Sequence, residues 1–302
     1  MKKSHQSNFH QSVLLQETIK LLAVKSGQWY VDATVGGGGH TAEILKKGGQ
    51  VLGIDWDSQA LKAAKKHLLQ VCPDAPWQLT KGNFANLGEM VRQAKLPEVS
   101  GVVFDLGVSS YQFGGHGRGF SFRFDEELDM RMDPETQQVT AKDLLAGLYE
   151  KELSQIFKKL VQEQLARPIA HALVLARRNK PMVTTFQLRD LVRAAYKGKR
   201  LRRRRIDPAT KVFQALRMVV NDELPNLGKG LLQGWQLLTL QGRLVVISFH
   251  EGEDRLVKQQ FGEWEGNHQG KVLTKKPIRP QEKEISQNPH CRSAKLRAIE
   301  KL

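Results

Sequence analysis

Acidic residues stand at three points of the first third of the chain where chemistry is expected. Asp32 lies in VDATVGGGGH, just before a run of four glycines, whereas Asp55 ends VLGID and Asp105 ends GVVFD. Glycines let the backbone approach a ligand closely, and a carboxylate after the next strand accepts hydrogen bonds from ribose hydroxyls. The pattern predicts a site for a nucleotide or another adenosine cofactor.

The residues around the glycines narrow the choice of ligand. Gly39 is followed by His40-Thr41 instead of Lys-Ser/Thr, which argues against a nucleoside triphosphate. A dinucleotide fingerprint fits only weakly. Asp32 could face the ammonium or sulfonium of S-adenosylmethionine but would repel a pyrophosphate. The alternative is a purely structural turn in which Asp32 is a capping residue.

The segment after Asp105 predicts a second part of the site. DLGVSSYQ follows the fourth apolar run, and RGFSF and LDMRMD come next. In open α/β folds, ligands bind at the carboxyl ends of the strands. The mixture of charged, aromatic and methionine side chains favours a binding rim, and the alternative is an ordered loop packed under a neighbouring subdomain.

Short apolar runs alternate with helical patterns in the first hundred residues. Helices are predicted at 41–47 and 58–69. Strands are predicted at 29–33, 51–55, 78–80 and 101–105. This order predicts an α/β fold with a parallel sheet covered on both faces.

The next strand, 243–249, follows more than a hundred residues later, so a folded insertion is expected between the two strands. Helical patterns from Thr140 to Leu191, including a cap at Thr184, supply a mostly helical subdomain. Two short pieces near the end predict a closing antiparallel pair at the sheet edge. The predicted organisation is a first sheet part at 1–137, an insertion at 138–218 and a second sheet part at 219–302.

Composition restricts the class of partner. The 302 residues include 47 Lys and Arg against 31 Asp and Glu, a net charge of +16. Nucleic acid is therefore the first partner to consider, with an acidic membrane surface behind it. Cys72 and Cys291 have no spacing typical of a disulfide framework or a zinc site. No signal peptide or membrane span is recognisable, so we expect a cytoplasmic location.

A basic run of seven cations in nine residues follows the predicted helical segment. It could neutralise several phosphates of RNA without reading sequence, and the alternative is a solvated loop. Further cations near the end of the chain, including Lys275, Arg292 and Lys295, could extend the surface. The candidate RNA-binding residues of the run are Lys197, Lys199, Arg200, Arg202, Arg203, Arg204 and Arg205.

A series of motifs in this order resembles one family. They are DATVGGGGH, DLGVSS, RGFSF, LDMRMD, PATKVFQALRMVVNDEL, GRLVVISFH and NPHCRSAKLR. The chain is similar over His10 to Glu300 to the MraW/RsmH family of S-adenosylmethionine-dependent methyltransferases, which act on small-subunit ribosomal RNA. The resemblance implies a class I (Rossmann-like) methyltransferase domain with a helical insertion, and methylation of the exocyclic N4 amine of a cytidine.

The resemblance also implies the site residues. The cofactor contacts fall on Gly38, Gly39, His40, Asp55, Phe84, Asp105 and Gln112, to which the argument from charge adds Asp32. In-line methyl transfer to an amine needs no metal, but the amine needs a hydrogen-bond acceptor. The nearest candidates for this catalytic role are Asp105, Ser109 and Ser110. The implied partner is small-subunit ribosomal RNA or the assembled subunit, and a homodimer stays open.

Several positions depart from the family pattern. Glu251-Gly252 replaces a usual Ser-Leu, and Gln162 and Gln164 flank Glu163 where relatives read Gly-Glu-Glu. These changes lie in the substrate half of the pattern. They leave two alternatives open, namely a methyltransferase of the same fold acting on a different RNA or DNA cytosine, and a non-catalytic RNA-binding paralogue.

Overall fold

The computed structural model describes residues 12–107, 118–197 and 207–302. The chain divides into two compact units. We call Met1–Ser109 with Leu224–Leu302 the sheet unit, and Ser110–Glu223 the helical unit. No helix among the described residues is both long and apolar enough to cross a membrane.

The sheet unit contains a seven-stranded sheet with the order β3-β2-β1-β4-β5-β7-β6. The first five strands are parallel, and β7 pairs antiparallel with both β5 and β6. The predicted α/β class and the closing antiparallel pair are therefore confirmed. In chain order the strands are β1 (Trp29–Asp32), β2 (Gln50–Asp55), β3 (Trp77–Lys81), β4 (Val99–Asp105), β5 (Leu238–Ser248), β6 (Gly270–Val272) and β7 (Lys295–Lys301).

Helices cover both faces of this sheet, because its central strands are apolar on both sides. Val102, Phe104 and Leu244 belong to the core on one face, and Val103 and Val245 to the core on the other. The helices of the sheet unit are α1 (Leu15–Leu22), α2 (Gly39–Lys46), α3 (Ser58–Val71), α4 (Leu87–Gln93), α10 (Glu223–Leu237, in this unit from Leu224), α11 (Glu251–Gly266) and α12 (Glu282–Gln287). Two 3-10 helices, Phe84–Asn86 and Pro289–Ser293, complete it.

The described residues of the helical unit form five helices, each of which buries one apolar face. They are α5 (Ala141–Gly147), α6 (Glu150–Val161), α7 (Ala166–Asn179), α8 (Thr185–Tyr196) and α9 (Ala209–Val220). On α6 the buried residues Leu153, Phe157 and Val161 follow the spacing of one helix face. Thr184 caps α8 in a capping box with Gln187, as predicted.

The helical unit begins earlier in the chain than the predicted boundary at 138. The segment before α5 is held inside this unit by hydrogen bonds, from Leu128 N to Val183 O at 2.9 Å and from Thr185 Oγ1 to Phe124 O at 2.6 Å. These bonds join residues about sixty positions apart. Sequence periodicity does not reveal such a contact, because the segment is neither helical nor a regular strand.

The end of α10 depends on a side chain from the last strand. The Lys301 ammonium donates to the carbonyls of Trp235, at 3.0 Å, and Leu238, at 2.6 Å. It also lies 5.8 Å from the centre of the Trp235 ring. The last carbonyls of a helix have no partner within the helix, and a cation there also complements the helix dipole.

We expect Lys301→Met to lower the free energy of unfolding by about 1–3 kcal/mol, because it keeps the apolar stem and leaves the helix-end carbonyls without their donor. Urea unfolding followed by tryptophan fluorescence measures the change. Lys271→Met, at an exposed position of β6, is the control. Equal stability of the two variants would show that the contact contributes nothing.

Candidate active site

Three carboxylates meet at the carboxyl edge of neighbouring strands. Asp32, Asp55 and Asp105 are the last residues of β1, β2 and β4, and β1 lies between the other two strands. The chain leaves β1 toward β2 on one side and later returns to its other side at β4. Such a reversal opens a crevice at the carboxyl ends, which is where α/β sheets bind ligands.

The glycine turn closes between β1 and α2. Gly38 N donates to Val35 O at 2.7 Å, and Gly36 and Gly38 have φ angles of +51° and +81°. Side chains other than glycine adopt this left-handed region at a cost, so the tight turn accounts for these two glycines. Gly39 then begins α2, whose first backbone N–H groups lie at the edge with the carboxylates.

Asp32 is held by the residues of this turn and helix. Its Oδ2 accepts from Thr41 Oγ1 at 2.7 Å, and its Oδ1 accepts from Thr34 N at 3.3 Å. The side chain is 1% exposed. Burial raises the pKa of Asp32 to about 6, although both hydrogen bonds act in the opposite direction.

Asp55 joins the turn to the second strand. Its Oδ2 accepts from Gly36 N and its Oδ1 from Asp57 N, both at 2.9 Å. Burial raises the pKa of Asp55 to about 6, with smaller contributions from the charges of Asp57 and Asp32. A carboxylate has four lone-pair positions, so Asp55 retains capacity to accept from a ligand.

Among the described residues, the carboxylate of Asp105 has fewer hydrogen-bond partners than those of Asp32 and Asp55. Its Oδ1 is buried and makes no hydrogen bond with any residue in the described part of the chain. Its Oδ2 lies 3.7 Å from His40 Nδ1, and its backbone N–H donates to Thr34 Oγ1 at 2.6 Å. Burial raises the pKa of Asp105 well above its usual value, and the charges of Asp32 and Glu253 add to the effect.

Glu253, which the sequence did not single out, is the fourth carboxylate near this edge. It is 3% exposed and stands at the third position of α11, where its Oε2 accepts from Phe249 N at 2.8 Å and from His250 N at 3.3 Å. His250 completes the cap by accepting from Glu253 N. The available signal was the spacing of His250 and Glu253, which is that of a capping box at a helix start directly after a strand.

Phe84, which the sequence predicts to contact the cofactor, packs against the core of the sheet unit. Its ring packs edge to face on Phe104, with ring centres 5.5 Å apart. A Cβ at Gly230 of α10 would lie 2.7 Å from the Phe84 ring, so that glycine allows the helix to approach.

Several predicted residues lie outside the described part of the chain. These are Ser109, Ser110, Gln112, Lys199, Arg200, Arg202, Arg203, Arg204 and Arg205. Lys197 is described, and it is an exposed residue at the end of α8.

The LDMRMD segment bonds mostly to its own unit. Arg131 donates to both carboxylate oxygens of Asp129, at 2.8 and 2.7 Å, and to Gln137 O at 2.8 Å. Asn221, beyond α9, donates to Met130 O and accepts from Met132 N, both at 2.8 Å. These contacts favour the interpretation as an ordered, packed loop over that of a binding rim.

The positions that depart from the family pattern lie on helix ends. Glu251 is exposed in the first turn of α11, where a negative charge stabilises the helix. Gly252 follows it, and a Cβ there would lie 3.1 Å from His250 Nδ1. Gln162 ends α6 with φ +50°, and Gln164 is exposed.

Two of the C-terminal cations have an internal partner. Lys295 Nζ and Arg297 Nε donate to the two oxygens of Asp254, at 2.9 and 2.7 Å. These ion pairs lower the pKa of Asp254 against the effect of burial. By contrast, Lys275, Lys276, Arg279 and Arg292 are exposed.

Taken together, the edge of the sheet unit places several buried carboxylates beside a glycine turn, with His40 as the adjacent titratable base. Burial raises the pKa of Asp32, Asp55 and Asp105, which disfavours their ionised forms. An approaching positive group would favour the ionised forms. The geometry therefore suits a ligand that carries positive charge.

Comparison with known proteins agrees with the resemblance carried by the sequence motifs. Residues 7–302 match the sequence model of the MraW methylase family. The ribosomal RNA small subunit methyltransferase H of Syntrophobacter fumaroxidans is 43% identical over 310 residues, covering 97% of this chain and 96% of that protein. The protein of the same name from Carboxydothermus hydrogenoformans is 44% identical over 313 residues, covering 97% and 98%. That from Desulfotalea psychrophila is 42% identical over 300 residues, with the same coverages.

The raised pKa of Asp32 predicts how stability changes with pH. The ordinary pKa is 3.8, so between that value and about 6 the folded chain binds more protons here than the unfolded chain. This contribution to stability is complete below the lower value and is lost as the pH rises past the upper one. Asp32→Asn, which stays neutral, should therefore gain stability relative to the unchanged protein by about 1–1.5 kcal/mol between about pH 5 and pH 7.5.

Urea unfolding at the two pH values measures this gain. Asp74→Asn, at an exposed position after α3, is the control and should show no such trend. If the stability difference between Asp32→Asn and the unchanged protein did not depend on pH, Asp32 would not be a carboxylate strained by burial.

Proposed function

The chain belongs to the MraW methylase family, and from this premise we propose that it transfers a methyl group from S-adenosylmethionine to the exocyclic N4 amine of a cytidine in small-subunit ribosomal RNA. The chain is a methyltransferase. The structural observation that carries the proposal is the carboxylate Oδ1 of Asp105, which is buried at the ligand-binding edge of the sheet without a hydrogen-bond partner among the described residues.

The residues at this edge fit S-adenosylmethionine. Its sulfonium and ammonium are cations, which complement the buried carboxylates of Asp32 and Asp105. Asp55, after the second strand, has the acceptor capacity to hold ribose hydroxyls. The backbone of Gly38 and Gly39 allows close approach at the start of α2. When bound, the cofactor supplies an electrophilic methyl group.

The difficulty of the methyl transfer lies in the low reactivity of the amine. The lone pair of the cytidine N4 is conjugated with the ring, which makes this nitrogen a poor nucleophile. Asp105 Oδ1 is suited to accept a hydrogen bond from the amine, which orients the lone pair, and to take the proton that the nitrogen must lose. Burial raises the pKa of Asp105, which makes its carboxylate a stronger base for this proton. Ser109 and Ser110 remain further candidates for this contact.

Access to N4 requires an unpaired or flipped cytidine, because the amine of a paired base is engaged with its partner.

The positive charge of the protein supports an RNA substrate. The basic run from Lys197 to Arg205 and the exposed Lys275, Lys276, Arg279 and Arg292 are candidate phosphate contacts.

Transfer of labelled methyl groups tests the function. Purified protein with labelled S-adenosylmethionine should label small ribosomal subunits or their RNA at one cytidine N4, identified by nucleotide mapping. Label on a different RNA or on DNA would favour the alternative methyltransferase, and an absence of label on every nucleic acid would favour a non-catalytic RNA-binding protein.

Within that assay we expect Asp105→Asn and Asp105→Ala to lower kcat at least about a hundredfold, because the amine loses its acceptor. Unfolding and S-adenosylhomocysteine binding verify that the fold and pocket persist. Glu98→Gln, exposed just before β4, is the control and should keep full activity. If either Asp105 variant turned over within a few fold of the unchanged protein, Asp105 would have no catalytic role.

Replacement of Arg202, Arg203, Arg204 and Arg205 by glutamine should make RNA binding less dependent on salt. Each lost phosphate contact reduces the steepness of log K against log salt by about 0.7–0.9, so the four changes reduce it by up to about 3.6. Filter binding at several salt concentrations measures the slope. Lys158→Gln with Lys159→Gln, exposed on α6, is the matched control, and an unchanged slope for the arginine variant would contradict the role.

A further inference from the structure

Phe249 lies beside the carboxylate of Asp105, at the end of the neighbouring strand. Asp105 pairs in parallel register with Ile247 of β5, and Leu106 N donates to Ile247 O at 2.9 Å. Continuing this register by two residues sets Gly107 next to Phe249. A Cβ added to Gly107 would lie 3.5 Å from Phe249 Cδ2, so the two residues are in fact neighbours.

The strand geometry directs the ring of Phe249 to the same face of the sheet as Asp105. Side chains two residues apart in a strand point to one face, and paired residues of parallel strands share a face. Phe249 accordingly packs on the apolar core that contains Val103 and Val245. Neighbouring strands lie about 4.8 Å apart and two residues span about 6.6 Å of strand, so one pyrimidine base can touch both Asp105 and Phe249.

The ring of Phe249 is held in place, and the glycine beside it adds no side chain. The backbone N–H of Phe249 donates to Glu253 Oε2 at 2.8 Å, which fixes the start of the side chain. Phe249 is half-buried, and no other aromatic ring in the described part of the chain stacks on it. A larger residue at position 107 would place its Cβ against the ring, and the φ of +102° also favours glycine there.

The place of Phe249 in the sheet separates it from the residues proposed to hold the cofactor. The strand order at this edge is β2-β1-β4-β5. Asp55 and Asp32 end the first two of these strands, whereas Phe249 follows β5, on the far side of Asp105. A ligand on Phe249 therefore meets Asp105 from the side opposite to the glycine turn.

We propose that Phe249 is a stacking platform for the base of the target cytidine, which lies on the ring while its N4 donates to Asp105 Oδ1. The inference rests on the proposed function. Aromatic side chains receive unstacked bases of RNA, and every base offers a π face to such a ring. The lone pair of N4 is perpendicular to the plane of the base, so a ring on one face leaves the other face for methyl transfer. Phe249 holds the base, and Asp105 selects the amine.

Kinetics with the RNA that is labelled in the methyl-transfer assay tests this role. Phe249→Leu keeps an apolar side chain but removes the π face, and we expect it to lower kcat/KM for RNA about tenfold to a hundredfold. Binding of S-adenosylhomocysteine should stay within about twofold, because the ring lies away from the glycine turn. Phe249→Tyr restores the ring and should keep kcat/KM within about threefold of the unchanged protein.

Phe261→Leu is the matched control, because Phe261 is a buried ring of α11 in the same unit. It should lower the free energy of unfolding and leave kcat/KM for RNA within about twofold. If Phe249→Tyr lost as much activity as Phe249→Leu, or if Phe249→Leu behaved like the control, the ring would act only in packing. Much weaker S-adenosylhomocysteine binding by Phe249→Leu would overturn the proposal too, by assigning the ring to the cofactor.

A double-mutant cycle measures the contact between the ring and the base. RNA with the target cytidine, and the same RNA with an abasic site at that position, are bound to the unchanged protein and to Phe249→Leu in the presence of S-adenosylhomocysteine. Removal of the base should weaken binding to the unchanged protein at least about fivefold more than binding to Phe249→Leu. An absence of any labelled cytidine in the transfer assay overturns the proposed function, whereas a labelled cytidine without this coupling overturns the platform alone.

Discussion

The structure of the sheet unit depends on the burial of negative charge at one edge of a parallel sheet. Asp32, Asp55 and Asp105 end adjacent strands, and burial raises the pKa of each of them. Such an arrangement is costly in the free protein. It persists because backbone N–H groups, Thr34, Thr41 and the start of α2 stabilise the carboxylates, and because the surrounding sheet is apolar on both faces. Under the proposed function, a cationic ligand at this edge would offset this cost, so the feature that limits stability would also contribute to affinity.

Two of the sequence motifs have different physical roles. VDATVGGGGH supplies part of the sheet edge at which we propose the ligand binds, since its carboxylate, turn and helix start all lie there. LDMRMD instead bonds to its own unit, where Asp129 pairs with Arg131 and Asn221 holds the backbone on both sides of Arg131. Met130 has a left-handed backbone at φ +62° and is fully buried. Packing and backbone geometry therefore restrict the residues that this segment can carry.

The strands and the α/β class could be predicted from sequence because short apolar runs bounded by polar residues are a local signal. The helix cap at Thr184 could be predicted because a capping box is also a local signal. Helices α1, α4, α9, α12 and α10 were not predicted. The last contains four glycine or proline residues between Glu223 and Leu237, which weaken the helical pattern. Glu253 was missed because its proximity to Asp105 depends on β4 and β5 being neighbours, although their paired residues Asp105 and Ile247 are 142 positions apart in the chain. The site residues could be named from motifs, whereas their protonation and hydrogen bonds could not.

The insertion between β4 and β5 has a consequence for the order of folding. The helical unit is one continuous stretch of chain, so its contacts are comparatively local and can form as soon as that stretch is synthesised. The sheet unit is discontinuous, and β4 obtains its neighbour β5 only after the helical unit has been made. Until then one side of β4 is an open strand edge, which can pair with other chains. We therefore expect slow closure of the sheet, with early folding of the insertion as the step that brings the two halves of the sheet unit within reach.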